Sequence, residues 1–392
     1  MKLSYRVHFT SGLFRPTNVL FRDIVSKDAK GRKKMLLVVD RGLLKHHPRL
    51  LEDVSDYMDM HDDAMSLAGE PILVEGGESA KNDPNWVDAI HKAVDAARLC
   101  RHSYVVAVGG GAVIDMAGLA AATAHRGIRL IRVPTTVLAQ ADAAIGVKNG
   151  VNAFGKKNFI GTFSPPWAVL NDFAFLGTLS QRDWIAGVAE AVKVALVKDP
   201  AFFSMIEQHA SALLHRNLHA MQQVIYRCAA LHLEHIATGG DPFETGSSRP
   251  LDFGHWSAHK LEQLTQFRLN HGETVAIGIA LDSTYASRAG LLSGRDRDRI
   301  LHVLCKLGFA LHVPELDMRV LDGLQEFREH LGGRLTIMLL MGIGKPVEVH
   351  NMDRKKLLKS IKWLEDRQER SQTASIHSRA PERRAAPLSA AL

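Results

Sequence analysis

The stretch Ser103–Asp115 (SYVVAVGGGAVID) joins a continuous apolar run to three glycines and then to a helical pattern. The run Ser103–Val108 is typical of a strand that is buried on both faces, and Ala112–Ala124 predicts the helix that follows it. Glycines let the backbone approach a pyrophosphate, and a helix N-terminus favours negative charge. The turn therefore predicts a nucleotide site. An ordinary tight turn stays open as the alternative, because the Gly-x-Gly-x-x-Gly fingerprint is absent.

Strand patterns recur on both sides of this stretch. They occupy Tyr5–Phe9, Lys34–Asp40, Pro71–Val74 and Ile128–Val133, and Asn85–Arg98 has helical periodicity. Strands that alternate with helices predict a parallel sheet with helices on both faces. We therefore expect an α/β domain over residues 1–172.

The pattern changes after Asp172, where helical periodicity alone continues. The predicted helices are Ala186–Val197, Phe202–Leu214, Met221–Glu234, Ser257–Leu264, Glu273–Ser287, Arg295–Leu307 and Val320–Phe327. They predict an all-helical domain over residues 173–366. Residues 367–392 are rich in Ser, Ala, Arg and Pro, a composition that predicts a disordered tail.

Composition narrows the class of protein. Hydrophobic residues make up 46% of the 392 residues and charged residues 23%, which is typical of a globular protein. The net charge of +7 is modest, and no basic stripe is interleaved with aromatics, so nucleic acid is not an expected partner. No apolar run approaches membrane-spanning length, so a membrane is not expected either. Three scattered cysteines without a Cys-x-x-Cys pair suit a reducing cytoplasm.

Polar residues with binding chemistry follow the predicted strands. Asp40 ends one strand, where a carboxylate can accept hydrogen bonds from ribose hydroxyls. Lys148 and Lys157 with Asn158 suit an oxyanion such as phosphate, because ammonium groups and an amide can surround its oxygens. A solvated basic loop is the alternative for these lysines.

The helical part carries a potential metal set. Glu190 and Lys193 lie one helical turn apart among almost entirely apolar neighbours, so they are predicted to be buried, where a charge needs a partner or a metal. A surface ion pair is the alternative. His255 and His259 share a helix face, and His271 follows. A Glu with two or three His suits a divalent ion: zinc, cobalt or iron. Five other helical histidines are predicted as surface or packing residues: His209, His215, His219, His232 and His235.

Seven motifs in order resemble the 3-dehydroquinate synthase family, the sugar phosphate cyclases, over roughly residues 5–350. They are GGGAVID, VPTTVLAQAD, GVK, GKKNFIG, AEAVK, GHWSAH and HGETVAIG. The resemblance implies a Rossmann-like NAD domain, a helical metal-binding domain, a homodimer and a carbon–oxygen lyase. In that family NAD⁺ transiently oxidises a substrate hydroxyl, phosphate is eliminated, the hydride returns and an intramolecular aldol closes a carbocycle.

The resemblance also implies roles for individual residues. The metal ligands would be Glu190, His255 and His271, holding Zn²⁺ or Co²⁺. NAD would be held by Asp40, Glu78, Lys81, Gly109, Gly110, Gly111, Asp115, Thr135, Thr136, Thr178 and Leu179. The sugar phosphate would meet Asp142, Lys148 and Lys193 near its reacting carbons, and Lys157, Asn158 and His259 at its phosphate. Arg126 would reach the phosphate site of the neighbouring subunit.

Departures from the family pattern bear on the substrate. Val147 replaces a glycine, Glu234 stands where the family has a carboxylate-binding lysine, and Asp252 stands where it has an asparagine. Two carboxylates would repel a carboxylate substrate, which predicts a hydroxymethyl ketone instead. Other segments are similar to the valiolone synthases and the ebo-cluster cyclases, which implies sedoheptulose 7-phosphate or a relative and a role in secondary metabolism. The alternatives are a 3-dehydroquinate synthase, a metal-dependent polyol dehydrogenase on the same fold, and a non-catalytic relative.

Overall fold

The strands form one large sheet and two hairpins. The computed structural model describes residues 4–27, 31–239, 241, 243, 250–330 and 333–378. In chain order its strands are β1 (Arg6–Thr10), β2 (Lys33–Asp40), β3 (Met65–Leu67), β4 (Ile72–Val74), β5 (Tyr104–Gly109), β6 (Arg129–Pro134), β7 (Lys148–Ala153), β8 (Lys156–Phe163), β9 (Ala168–Asp172), β10 (Ile337–Gly342) and β11 (Lys345–Val349).

The large sheet is parallel throughout. Its order is β1-β9-β6-β5-β2-β3, and β4 also pairs with β2. Every residue of β5 is buried, as expected for a strand with helices on both faces. The carboxyl ends of β2, β4, β5 and β6 lie at one edge, because Asp40 pairs with Val74 and Gly109 with Pro134. The loops that follow these strands are therefore neighbours.

The helices fall mainly in the second part of the chain. They are α1 (Leu20–Ser26), α2 (Leu50–Met60), α3 (Ser79–Asn82), α4 (Asn85–Ala96), α5 (Gly111–Thr123), α6 (Gln181–Lys198), α7 (Pro200–Leu214), α8 (Leu218–Thr238), α9 (His255–Leu264), α10 (His271–Arg288), α11 (Gly294–Lys306), α12 (Asp322–His330) and α13 (Arg354–Ser378). None of the helices in the described part of the chain has the length and apolar composition that crossing a bilayer requires.

The structure corrects the predicted architecture in three places. The segment with Lys148, Lys157 and Asn158, for which the sequence predicts no strand and leaves a solvated basic loop as the alternative, is the antiparallel hairpin β7–β8. The helical part is not purely helical, because β10 and β11 pair antiparallel within it. The last helix continues to Ser378, so it includes residues 367–378, which the sequence analysis assigned to the tail. Residues 379–392, also assigned to that tail, lie outside the described residues.

The helical part has its own apolar core around α6 and α10. Each turn of α6 from Trp184 to Val197 is buried, and α10 is buried from Thr274 to Ala286. The two helices touch at Gly272, where a Cβ would stand 2.0 Å from the carbonyl oxygen of Ala186. A glycine is therefore required at this contact, and it draws the start of α10 onto the middle of α6.

A buried arginine ties the sheet to the hairpin β7–β8. Arg132 on β6 is fully buried, and burial lowers its pKa to about 10. Its guanidinium donates to the carbonyl oxygens of Ala144, Gly146 and Lys148 at 2.9, 2.6 and 3.1 Å and to Asn149 Oδ1 at 2.7 Å. It therefore fixes the backbone that enters the hairpin at Lys148.

We expect Arg132→Met to lower the free energy of unfolding by at least about 3 kcal/mol, because each buried acceptor that loses its donor costs about 1–3 kcal/mol. Urea denaturation measures the change. Arg6→Met, on an exposed position of β1, is the control and should stay within about 0.5 kcal/mol of the wild type. Equal losses in the two variants would contradict the role given to Arg132.

Candidate active site

The glycine-rich loops meet Asp40 at the carboxyl edge of the sheet. A Cβ on Gly76 would stand 2.2 Å from an Asp40 carboxylate oxygen, and one on Gly109 would stand 3.2 Å from the Asp40 Cβ. Asp40 also accepts a hydrogen bond from the Gly42 amide at 2.8 Å. Burial raises the pKa of the Asp40 carboxyl. Three strand ends thus meet at one carboxylate, and the glycines are required there because a side chain would clash with Asp40.

The triglycine turn ends in a helix N-terminus. Gly109 ends β5, Gly110 is extended and α5 begins at Gly111. Gly110 has no side-chain cap, so the first amides of α5 are available to an anion. Thr135 and Thr136 follow β6 beside this turn, since the Thr135 amide donates to the Gly109 carbonyl at 3.0 Å. The arrangement suits a dinucleotide pyrophosphate.

A buried lysine links this edge to the hairpin. Lys81 is 4% exposed and its ammonium donates to Asp115 Oδ2 at 2.7 Å and to Asn158 Oδ1. Asn152 extends the network. Its side-chain Nδ2 donates to Glu78 Oε1 at 2.7 Å, and its Oδ1 accepts from the backbone N–H of Asn158 at 2.8 Å. The residues assigned to the cofactor and to the phosphate are therefore joined by direct hydrogen bonds.

The helical part contributes a compact set of metal-binding side chains. His255 Nε2 lies 3.3 Å from Glu190 Oε1, and His271 Nε2 lies 3.2 Å from the same oxygen. One ligand atom from each of the three lies within 4.8 Å of the others. The structure thus brings together the three predicted ligands from α6, α9 and α10.

Local sequence explains this convergence. His255 begins α9 directly after Gly254, which has a φ of 78° and whose Cβ would stand 2.8 Å from the Ile279 amide of α10. His271 begins α10 after Asn270, which forms a capping box with Glu273. Both histidines therefore lie at helix starts that the backbone holds against α6.

The donor set fits a divalent cation. Glu190 is completely buried, and among the described residues neither of its carboxylate oxygens has a hydrogen-bond partner of good geometry. An unsatisfied buried carboxylate is costly, and a metal ion would satisfy it. His255 Nδ1 faces the Phe253 carbonyl at 3.2 Å, which leaves Nε2 for coordination. One carboxylate and two imidazoles are a common zinc set with an open position.

Lys193 completes the charge balance at Glu190. Its Nζ lies 2.5 Å from Glu190 Oε2 and is nearly fully buried. Burial alone would raise the pKa of Glu190, but Lys193 and His255 hold that pKa well below its ordinary value. Burial alone would lower the pKa of Lys193, but Glu190 and Asp142 raise it. Both groups are therefore charged.

Asp142 faces this cluster together with a histidine that the sequence analysis set aside. His232 Nε2 lies 3.3 Å from Asp142 Oδ1, and the ring is 6% exposed. Burial lowers the pKa of His232, with Lys148 and Lys193 among the charges that act on it. A neutral imidazole beside a carboxylate can accept a proton. Of the two interpretations that the sequence left for His232, surface or packing, the structure excludes the surface one.

Other predicted residues lie near the same cluster. Asp252 precedes α9, and its charge helps to raise the pKa of Lys193. The His259 ring lies 5.3 Å from that of His255 and 6.0 Å from that of His271. Thr178, which precedes Leu179, lies 2.8 Å from His47 Nε2, so the turn after β9 reaches the loop after β2.

Two predicted residues lie away from the cluster. Glu234 is exposed beside Lys198, whose pKa is lowered by burial and raised only in smaller part by the charge of Glu234. Residues two apart on a helix point in nearly opposite directions, so Glu234 faces away from the site that His232 faces. This corrects the expectation that Glu234 meets the substrate. Arg126 is exposed beyond the far end of α5, about 20 Å along that helix from the triglycine turn.

The sequence analysis also missed Glu262. It is 2% exposed, and both of its oxygens accept from Lys157 Nζ, at 2.9 and 2.8 Å. A signal was present, because Glu262 lies three residues after His259 and seven after His255, on the same face of a helix.

Family models match most of the chain. Residues 71–186 match the model described as 3-dehydroquinate synthase N-terminal, and residues 187–327 match 3-dehydroquinate synthase C-terminal. The chain belongs to the 3-dehydroquinate synthase family. This confirms the predicted sugar phosphate cyclase superfamily, the fold class and the enzyme class, a carbon–oxygen lyase.

Individual family members cover nearly the whole chain. The 3-dehydroquinate synthase of Ruegeria pomeroyi is 36% identical over 363 residues, which is 91% of this chain and 94% of that protein. That of Ruegeria sp. is 34% identical over 300 residues, 74% of this chain and 80% of that protein. The solved structure of a 2-epi-5-epi-valiolone synthase from Streptomyces hygroscopicus, with NAD⁺ and Zn²⁺ bound, superposes with a TM-score of 0.84 at 31% identity and covers 94% of this chain and 98% of that one.

We expect Zn²⁺ to raise the thermal midpoint of the wild type, since an ion at about 100 times its Kd stabilises the folded state by about 2.7 kcal/mol. His255→Ala should lose this increase because it removes a ligand. Differential scanning fluorimetry with Zn²⁺ or a chelator measures it, with His219→Ala, an exposed histidine, as the matched control. An equal increase in His255→Ala and His219→Ala would contradict the ligand assignment.

Proposed function

We propose that the protein is an NAD- and divalent-metal-dependent cyclase of a seven-carbon sugar phosphate, with sedoheptulose 7-phosphate or a relative as substrate. The observation that carries the proposal is that Glu262 joins two groups of residues, which we take as the two ends of a substrate cleft. The Glu190–His255–His271 set with Lys193 forms one end. Lys157 and Asn158 on β8 form the other, joined to the first through Glu262.

The proposed division of labour follows from the charges. NAD would supply a hydride acceptor and donor, and the ion held by Glu190, His255 and His271 a Lewis acid for a substrate hydroxyl or ketone. Lys193 stabilises negative charge on the oxygen of the carbon that is oxidised and later reduced. Asp142 and the neutral His232 hold and return a proton beside it.

The other end binds the leaving group. Lys157, Asn158 and His259 surround the phosphate, and Lys148 meets the substrate between the two ends. The positions of the first three support this: Lys157 and Asn158 are adjacent on β8, and His259 lies one helical turn after His255. Phosphate leaves as the proton on the neighbouring carbon is removed, and return of the hydride leaves no net NADH.

Because Glu234 faces away from the site, the expectation of an uncharged substrate end rests on Asp252. Its negative charge acts on Lys193, where the family asparagine would be neutral. A substrate carboxylate at this position would be repelled, whereas a hydroxymethyl ketone would not. A 3-dehydroquinate synthase is the second candidate, favoured by the family models and by the relatives of that name.

A polyol dehydrogenase is less well supported. Solved dehydrogenases, such as the butanol dehydrogenase of Thermotoga maritima at 15% identity and a TM-score of 0.64, share the fold. A simple alcohol has no group for the ammonium and amide that Lys157 and Asn158 present. We propose further that the enzyme is a cytoplasmic homodimer of secondary metabolism, with Arg126, which lies far from its own cleft, serving the partner.

The first experiment offers two substrates separately. Sedoheptulose 7-phosphate and the seven-carbon precursor of dehydroquinate are each incubated with the protein, NAD⁺ and Zn²⁺ or Co²⁺, and phosphate release, NADH and product mass are recorded. We expect phosphate from the heptulose alone, without net NADH. Phosphate from the carboxylate substrate alone would establish a 3-dehydroquinate synthase instead, and net NADH without phosphate release from either substrate would indicate a dehydrogenase.

Lys193→Ala should lower kcat by about 100-fold or more, because removal of one group that stabilises an oxyanion costs about that much. Lys198→Ala, at an exposed position of the same helix, is the matched control and should remain active. Circular dichroism of both variants checks that the fold persists. A Lys193→Ala variant with near-normal kcat would remove Lys193 from the mechanism.

Asp252→Asn should raise the ratio of kcat/KM for the carboxylate substrate over the heptulose by at least about tenfold, since it removes a like charge worth more than about 1.4 kcal/mol. Glu234→Lys, which the sequence alone predicts to act similarly, should leave the ratio unchanged because Glu234 faces away. Steady-state kinetics of both variants measure the ratios. The reverse pattern would restore Glu234 to the site and exclude Asp252.

A further inference from the structure

Glu262 is a buried carboxylate that the proposed mechanism leaves without a role. It lies on α9 on the same face as His255 and His259 and is 2% exposed. A carboxylate is buried at such a position only when it is paired. Its partners therefore indicate what it does.

Those partners come from both parts of the molecule. His271 Nδ1 lies 3.0 Å from Glu262 Oε1. Lys157 Nζ donates to both oxygens of Glu262 at 2.9 and 2.8 Å, across 105 residues of sequence. Burial alone would raise the pKa of Glu262, but His271 and Lys157 lower that pKa by more. Its pKa therefore lies below the ordinary value, and the carboxylate is charged. Glu262 thus joins a residue of the metal set to a residue of the phosphate end.

The contact with His271 fixes that ring for coordination. When Nδ1–H donates to Glu262, Nε2 carries no proton, and its lone pair would be available to an ion that also contacts Glu190 Oε1, 3.2 Å from Nε2. The other ligand histidine, His255, is oriented by a backbone carbonyl instead. A carboxylate behind an imidazole ligand fixes the tautomer and makes the ring a stronger ligand.

The contact with Lys157 fixes the other end. Two carboxylate oxygens hold one ammonium, so the position of Lys157 depends on the position of Glu262. Glu78 Oε2, at 3.9 Å, is a more distant second carboxylate partner. An ion that immobilises His271 therefore also immobilises Glu262 and, through it, Lys157.

We propose that Glu262 is a positioning residue that couples divalent-metal binding at His271 to oxyanion binding at Lys157. The inference rests on the proposed function. By linkage the coupling is reciprocal, so metal tightens phosphate binding and phosphate tightens metal binding by the same factor. An enzyme arranged in this way binds the phosphate of its substrate strongly only when its metal is in place.

A second role for Glu262 is chemically possible and makes a different prediction. His259, Glu262 and His271 also place ligand atoms within 4.8 Å of one another. If Glu262 were itself a ligand of a second ion, each chain would bind two ions. The contact with Lys157 favours the positioning role, because an ammonium held by both oxygens competes with a cation there.

The test uses the full chain saturated with NAD⁺. Zn²⁺ affinity and stoichiometry are measured by calorimetry, Co²⁺ coordination by its visible absorption, and inorganic phosphate affinity with and without Zn²⁺. We expect one ion per chain, and phosphate binding that Zn²⁺ tightens at least about fivefold. In Glu262→Gln we expect Zn²⁺ affinity to fall about 10–100-fold, the Co²⁺ spectrum to change and the effect of Zn²⁺ on phosphate to disappear.

Two further variants keep the test decisive. Glu326→Gln removes an exposed carboxylate that pairs with Lys260 on the same helix α9 and should behave as the wild type. Glu262→Asp keeps the charge and should retain part of the coupling. Unchanged Zn²⁺ and phosphate binding in Glu262→Gln would overturn the inference, as would two ions per wild-type chain. A wild type that binds no ion at all would instead overturn the proposed function.

Discussion

The buried charge of Glu190 is the constraint on which the rest of the site depends. A carboxylate inside a helix that is apolar on every side is tolerated only if positive charge is brought to it. Lys193 comes from the same helix, whereas His255 and His271 come from the starts of two others. The close contact at Gly272 brings α10 near enough to α6 for His271 to reach Glu190. Packing of the helical part and the chemistry of its site are one arrangement.

Much of the fold could be predicted because its elements have strong periodic signals. The predicted strand Ser103–Val108 and the predicted helix Ala112–Ala124 each begin and end within one residue of the observed β5 and α5. The hairpin β7–β8 was missed because its second strand is largely exposed and so lacks the apolar pattern of a buried strand. The hairpin β10–β11 was missed because one short apolar run does not reveal its pairing partner.

The candidate site was predictable where two of its residues lie on the same face of one helix. It was less predictable where the assignment depends on which face of a helix points into the site. Glu190 with Lys193, and His255 with His259, share faces that sequence spacing alone defines. On α8 the resemblance to the family pointed to Glu234, but the buried face of that helix includes Cys228 and His232. Glu234 lies two residues after His232, which places it on the opposite face of the helix. Arg132 acts on the carbonyl groups of a following loop, and Glu262 contacts a lysine 105 residues away, so spacing along one helix reveals neither role.

The two ends of the cleft come from different parts of the chain, and this bears on which ligands can use it. Lys157 and Asn158 belong to a hairpin attached to the α/β part, while the metal set belongs to three helices of the other part. A ligand with a phosphate at one end and a hydroxyl or ketone at the other can contact both ends at once. A small alcohol can contact only the helical end. Under the proposed function, Glu262 would join the phosphate end to the metal set, so recognition of the leaving group and polarisation of the reacting oxygen would form a single binding event.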